Sequence, residues 1–260
     1  MASLSFSFFW LLGGEFPGVV TLWQPALIGL LYVSGQVFIL SAVSYGDVSV
    51  ATPVASFKVV IVTFLCMIFA ETQPTFAVWL SACLAVCGIL MINLATPRTA
   101  RRRVLVTIAL ALGAALSFAL FDICVQSWSP RWNSGRLVPI AFWFVGVFSL
   151  FLLPWCTLRK RDLVNDQWPS LVIGGVLFAT QAAFLVYALS IFGDAARVNV
   201  VYALRGLWGV LFAWIFAKYF GGNESRLPNS IMWFRLVGAS FLVVAVVIVI
   251  ATGSNSIAGK

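Results

Sequence analysis

Eight runs of about twenty mostly apolar residues recur along this 260-residue chain, and that length is what a helix needs to cross the hydrocarbon of a bilayer. By hydropathy they cover about Pro25–Val43, Val48–Ala70, Phe76–Leu94, Val104–Trp128, Val138–Trp155, Pro169–Ile191, Val198–Phe220 and Ile231–Ala251. A shorter apolar piece, Leu4–Leu12, precedes them. Together they predict an all-α polytopic membrane protein of eight full spans plus a short N-terminal apolar segment. With 62% hydrophobic and only 9% charged residues, the soluble globular class is excluded. The net charge of +8 therefore does not signal nucleic acid. Its basic residues sit mostly beside spans, where they orient the chain and meet anionic lipid.

One stretch repeats. Gly193–Ala217 and Gly46–Ala70 align at a step of 147 residues, both opening Gly-Asp and both closing Ile-Phe-Ala, with Arg205 falling where Lys58 sits. Six of the 25 paired positions are identical, which is weak alone for apolar segments; the matching turn, cation and exit together argue for an internal duplication. The two copies are five spans apart. Because five is odd, the halves enter the membrane in opposite directions, an inverted repeat of five-helix units. Residues 1–97 read as the first unit and 98–255 as the second. Matching Gln24-Pro25 with Trp168-Pro169 leaves the first unit short of one helix and half of another, so the sequence predicts a start further upstream. The apolar opening MASLSFSFFWLLGG has no basic leader and does not read as a cleavable signal.

A cation at the centre of a spanning helix costs roughly 2.5–3.5 kcal/mol on insertion scales. Here it is placed twice, at one position of a repeated unit. Lys58 and Arg205 therefore read as lining a shared polar cavity. The competing reading, a snorkelling or structurally paired cation, is weakened by their central placement. On the helix face of Arg205, Tyr202 and Trp208 offer a hydroxyl and an aromatic wall, with Gly206 and Gly209 permitting close approach; plain helix packing is the alternative. Pro53, one turn into the Lys58 helix, is placed to kink it. Asp122 is the one acid well inside a span, a candidate counter-ion or proton carrier, weighed against a wet position near its helix end. Gln36 and Gln181 follow their prolines by similar distances and are candidates to bind substrate or bridge helices. Asp47, Asp194 and Glu71 sit at span ends and read as caps, and Asn199 faces away from Arg205.

The five cysteines lie in apolar segments with no CxxC pair and no histidine in the chain, so they read as packing residues, with no metal and no cofactor expected. Absent histidine, paired carboxylates or a GxSxG site, enzymatic hydrolysis is disfavoured.

Particular motifs carry a family resemblance. The Gly-Asp turn into an ATPV helix ending IFAE, followed by WLSACLAVCGILMINLA, resembles the EamA-like half of the drug/metabolite transporter superfamily. So does VYALRGLWGVLFAWIFAKYF followed by WFRLVGASFLVVAVVIVIA. The resemblance implies ten helices in two inverted halves around a central cavity, moving small organic solutes by alternating access. Two cavity cations favour an anionic or zwitterionic metabolite. The alternatives are a lipid or lipid-phosphate flippase, or an inactive truncated family member. The expected partners are a small-molecule solute, the lipid bilayer and, at most, a second copy forming a homodimer. The expected location is the cell (inner or plasma) membrane. Ten loop cations against four put the richer face in the cytoplasm and the C-terminus outside, whereas the resemblance implies a cytoplasmic C-terminus.

Overall fold

The apolar runs fold as helices because lipid offers no partner to an unpaired backbone group, and no strand occurs among the described residues. The computed structural model describes residues 3, 6–14, 16–45, 48–69, 74–93, 101–152, 154, 168–205, 208 and 229–257. Two 3₁₀ turns, Ser7–Leu12 and Val19–Leu22, precede the helices α1 (Trp23–Tyr45), α2 (Val48–Ala55), α3 (Lys58–Phe69), α4 (Phe76–Asn93), α5 (Arg101–Trp132), α6 (Ser134–Leu150), α7 (Trp168–Phe192), α8 (Ala195–Tyr202) and α9 (Asn229–Ile257). Among the described residues, three stretches, Val19–Ser44, Leu105–Trp132 and Val172–Phe192, are long and apolar enough to cross a membrane. Lys58–Phe69, Phe76–Met91, Gly135–Leu150 and Val237–Thr252 are shorter apolar helices. Large side chains such as Leu30, Phe64, Leu116, Phe184 and Ile250 stand exposed on these helices, as lipid-facing residues do. The chain is an integral, all-α membrane protein.

The expected second and seventh spans are not continuous α-helices. The first is interrupted by a turn at Ser56-Phe57 between α2 and α3, the other by a turn at Ala203-Leu204 after α8, with helix resuming at Arg205. A tightened turn keeps the apolar composition of a helix and leaves hydropathy unchanged, so the runs carry no sign of it.

The contacts divide the described chain into two compact units, one holding Met1–Ser34 and Leu120–Gly193, the other Gly35–Ala119 and Asp194–Lys260. Each draws on both sequence halves, so this partition differs from that of the repeat.

The first unit has an aromatic core. The Phe6 ring lies flat on Phe142, centroids 3.5 Å apart, and Phe142 meets Tyr32 edge-on at 5.0 Å. Tyr32 also packs on Phe121 at 5.5 Å. Ser3 Oγ donates to the Phe142 carbonyl at 2.8 Å, so the N-terminal segment is held against α6 at the same place by ring and hydroxyl. Asn133 alone separates α5 from α6, at φ 60° and ψ 148°, outside the left-handed helical region and sparsely populated by residues that carry a side chain. Beside it the buried Trp132 Nε1 donates to Gln24 Oε1 at 2.7 Å.

The second unit is knitted by small residues. Ala82 and Ala85 of α4 meet Leu242, Ala245 and Val249 of α9, with Val59, Val200 and Ala203 completing the core. A Cβ on Gly88 would lie 2.6 Å from the Gly238 carbonyl, so α4 and α9 approach backbone to backbone, the usual route to tight packing where lipid removes the hydrophobic drive. Cys66 is buried as a packing residue, but Cys83 and Cys87 are exposed on α4.

Replacing Trp132 by Phe keeps most of the ring and strands the buried Gln24 amide. The expected cost is about 1–3 kcal/mol, read as a lower melting temperature in detergent; Gln24→Leu in the same background should recover part of it.

Candidate functional site

The interruptions stand at equivalent places. Helix α2 and helix α8 begin and end at residues related by the step of 147, as do the two turns and the cations that follow them. Their hydrogen bonds match as well. Ser56 N donates to Thr52 O at 3.2 Å and Phe57 N to Val54 O at 3.1 Å, while Ala203 N donates to Asn199 O at 3.0 Å and Leu204 N to Val201 O at 3.1 Å. Beyond the turns, Ile61 N reaches Phe57 O at 3.0 Å and Trp208 N reaches Leu204 O at 3.2 Å. The i→i+3 bonds mark 3₁₀ tightening, so each helix is tightened, not cut. Val200 occupies the position of Pro53 in the other copy, so a proline is not common to the two turns. What the copies share is a small residue, a bulky apolar residue and a cation: Ser56-Phe57-Lys58 and Ala203-Leu204-Arg205.

Those cations converge on one ring. Arg205 Cζ lies 4.4 Å from the Tyr202 ring centroid, and Arg205 Nη1 donates to the Tyr202 hydroxyl at 2.7 Å. Lys58 Nζ approaches the same ring at 6.0 Å and the Phe118 ring at 5.9 Å, both at the outer edge of cation–π range. Measured through the shared centroid, the two charges can be no more than about 10 Å apart. At that spacing and an effective dielectric of 20 they repel by about 1.6 kcal/mol or more. Lys58 is half-buried and Arg205 exposed.

Phe118 gave no signal in the sequence, being one apolar residue among many on α5. It is held from behind: a Cβ on Gly35 would lie 2.7 Å from its ring. Only a glycine lets α1 come that close.

Other expected site residues are distributed differently. Trp208 is about half exposed, three residues beyond Arg205, while Gly206 and Gly209 lie outside the described residues. Gln36, next to Gly35 on α1, is half-buried in the same unit as Lys58. Asp122 and the half-buried Gln181 belong to the other unit. Asp122 is fully buried between Phe121 and Ile123, which overturns the wet helix-end position weighed for it. Gln126, one turn on and also buried, extends the same polar face and was missed because an amide in an apolar run is a faint signal.

Asn199 is buried, its amide donating to the Ala195 carbonyl at 2.8 Å, in keeping with a position turned away from Arg205. Asp194 caps α8 as expected: its Oδ1 accepts from Arg197 N at 3.0 Å, and Oδ2 lies 3.1 Å from Arg197 Nε. Gly193 turns at φ 59° beside it. Asp47 and Glu71 lie outside the described residues.

Gly35→Ala should push the Phe118 ring against Lys58 at an overpacking cost of about 1–3 kcal/mol, visible as a lower melting temperature. Gly113→Ala, whose added Cβ would meet the Phe38 ring at ordinary contact distance, 3.4 Å, should change it little. Equal shifts would contradict the tight seat described for Phe118.

No curated protein matches the chain. A solved crystal structure superposes on it with a TM-score of 0.69 and 13% identity, over 95% of this chain and 86% of the other; that likeness shows the fold alone. Beyond residue 94 the family resemblance rests on the motifs and the internal repeat. Over residues 1–94 the sequence matches the EamA-like transporter family, and the EamA resemblance read from its motifs is thereby established for that part of the chain.

Proposed function

We propose that the protein is a secondary transporter that carries a small organic anion across the cell (inner or plasma) membrane by alternating access. The observation that carries this reading is the meeting of Lys58 and Arg205 on the Tyr202 ring. Two positive charges held this close repel each other, and an anion between them removes the repulsion and adds two attractions in a medium of low dielectric. The guanidinium presents a donor fork suited to a carboxylate or phosphate, whereas the ammonium acts as a point charge. Tyr202 gives the bound solute an apolar face, and its hydroxyl orients Arg205. The EamA-like match over residues 1–94 supports the transporter class.

Movement is assigned to the two tightened turns. Irregular backbone beside a binding site recurs in transporters built from repeats, and a 3₁₀ stretch within a helix often marks a hinge. Each turn here immediately precedes a cation, so flexing either one moves a charge. Asp122 is proposed as the protonatable group that couples transport to a proton gradient, because a buried carboxylate in an apolar helix is costly unless it serves such a role.

Uptake into proteoliposomes tests this, using a panel of carboxylates and phosphate monoesters against quaternary amines. Anions should be preferred, and Lys58→Gln or Arg205→Gln should each lower anion uptake by about tenfold or more, the loss of one charge-assisted contact. Asp122→Asn should abolish accumulation driven by a pH gradient while sparing exchange of labelled for unlabelled anion. A preference for cations that both glutamine variants leave intact would refute the anion carrier.

A further inference from the structure

Away from the paired cations, the first unit carries a narrow trough on its surface. Trp10, Ile140, Trp143, Phe144 and Val147 line a space of about 240 Å³ whose walls are wholly apolar. The four residues from α6 stand four, seven, eight and eleven positions after Arg136, a single stripe of the helix. Arg136 closes one end of that stripe. Its guanidinium carbon lies 4.8 Å over the Trp10 ring, and its Nε donates to the Gly14 carbonyl at 3.0 Å. Trp10 is thus both the seat of the cation and a wall of the trough, while Trp143 and Val147 remain about half exposed.

The depth of Arg136 follows from its surroundings. Trp23 packs on Trp128 at 5.3 Å, Phe16 packs on Trp132 at 5.6 Å, and Arg131 is exposed nearby. Tryptophans grouped with cations at the end of one apolar helix and the start of the next mark the headgroup level of a bilayer. From there the stripe runs along α6 for about 16 Å, toward the hydrocarbon.

We infer that this trough is a binding site for an anionic phospholipid, one acyl chain lying along α6 and the phosphate resting on the Arg136 guanidinium. Charge at the headgroup end and methylene-compatible walls along the rest match an amphiphile in both polarity and direction. A solute site fits poorly, because the space is smaller than the roughly 300–1,000 Å³ of small-molecule pockets and no polar groups converge in it. A second copy of the chain would answer the apolar stripe and leave Arg136 without an anion.

The test uses the full-length protein in maltoside micelles with equal amounts of palmitoyl-oleoyl phosphatidylglycerol or phosphatidylcholine, bound lipid being counted by native mass spectrometry. Phosphatidylglycerol should be retained about fivefold more than phosphatidylcholine, the preference one basic residue confers, and Arg136→Gln should erase the difference. Val147→Trp, which fills the trough from an exposed position, should lower retention of both lipids by about tenfold. Equal retention of the two lipids by the unaltered protein would overturn the inference, as would unchanged retention in Val147→Trp. A change from dimer to monomer in Val147→Trp with lipid retention intact would also overturn it and mark the trough as an interface between copies. Arg136→Gln removes the bond to Gly14 too; if that variant does not fold, the headgroup comparison and Val147→Trp still decide.

Discussion

Two positive charges brought to one tyrosine ring in so apolar a protein form an arrangement that needs a reason. Each cation is unfavourable in lipid on its own, and placing them within about 10 Å of each other adds repulsion. The Tyr202 ring offsets part of this, since its negative face attracts a cation by about 0.5–2 kcal/mol, and its hydroxyl fixes Arg205 in place. The same charges make the spot attractive to an anion. In the proposed function, cost in the empty protein and affinity for an anion are two consequences of a single geometry.

The backbone that holds this geometry is built twice. A short helix, a tightened turn and a cation recur in the same order with matching hydrogen bonds. Packing then brings the copies together: Val59 next to Lys58, and Ala203 two residues before Arg205, lie in one buried cluster with α4 and α9. That cluster is rich in alanine and valine, and Gly88 lets α4 meet α9 at backbone distance. Small residues permit the close approach, and the close approach sets the cations on a common ring. Phe118 behind Lys58 depends on Gly35 in the same way. In each case a missing side chain sets where a neighbouring one lies.

Much of this was legible in the residues. Run length revealed the all-α membrane class, and the step of 147 set Arg205 where Lys58 sits. Tyr202 followed from helical spacing alone, because a residue three positions away shares a face. The tightened turns were not legible, since Ser56-Phe57 and Ala203-Leu204 are as apolar as their surroundings. Phe118 and Arg136 were missed for another reason. Each matters through a partner distant in sequence, Lys58 for one and Trp10 for the other, and a single chain without coordinates carries no record of such meetings. Asp122 was read as an acid well inside a span, and it is fully buried.

The central claim is that Lys58 and Arg205 act on one bound anion. A double-mutant cycle measures this directly: affinity for the carboxylate or phosphate ester taken up best is determined by calorimetry for the unaltered protein, Lys58→Gln, Arg205→Gln and the double variant. A shared site predicts that the double loss falls short of the sum of the single losses by at least about 1 kcal/mol, as for residues contacting the same partner. Losses that add to within about 0.3–0.5 kcal/mol would show two independent cations, and the shared site would be contradicted.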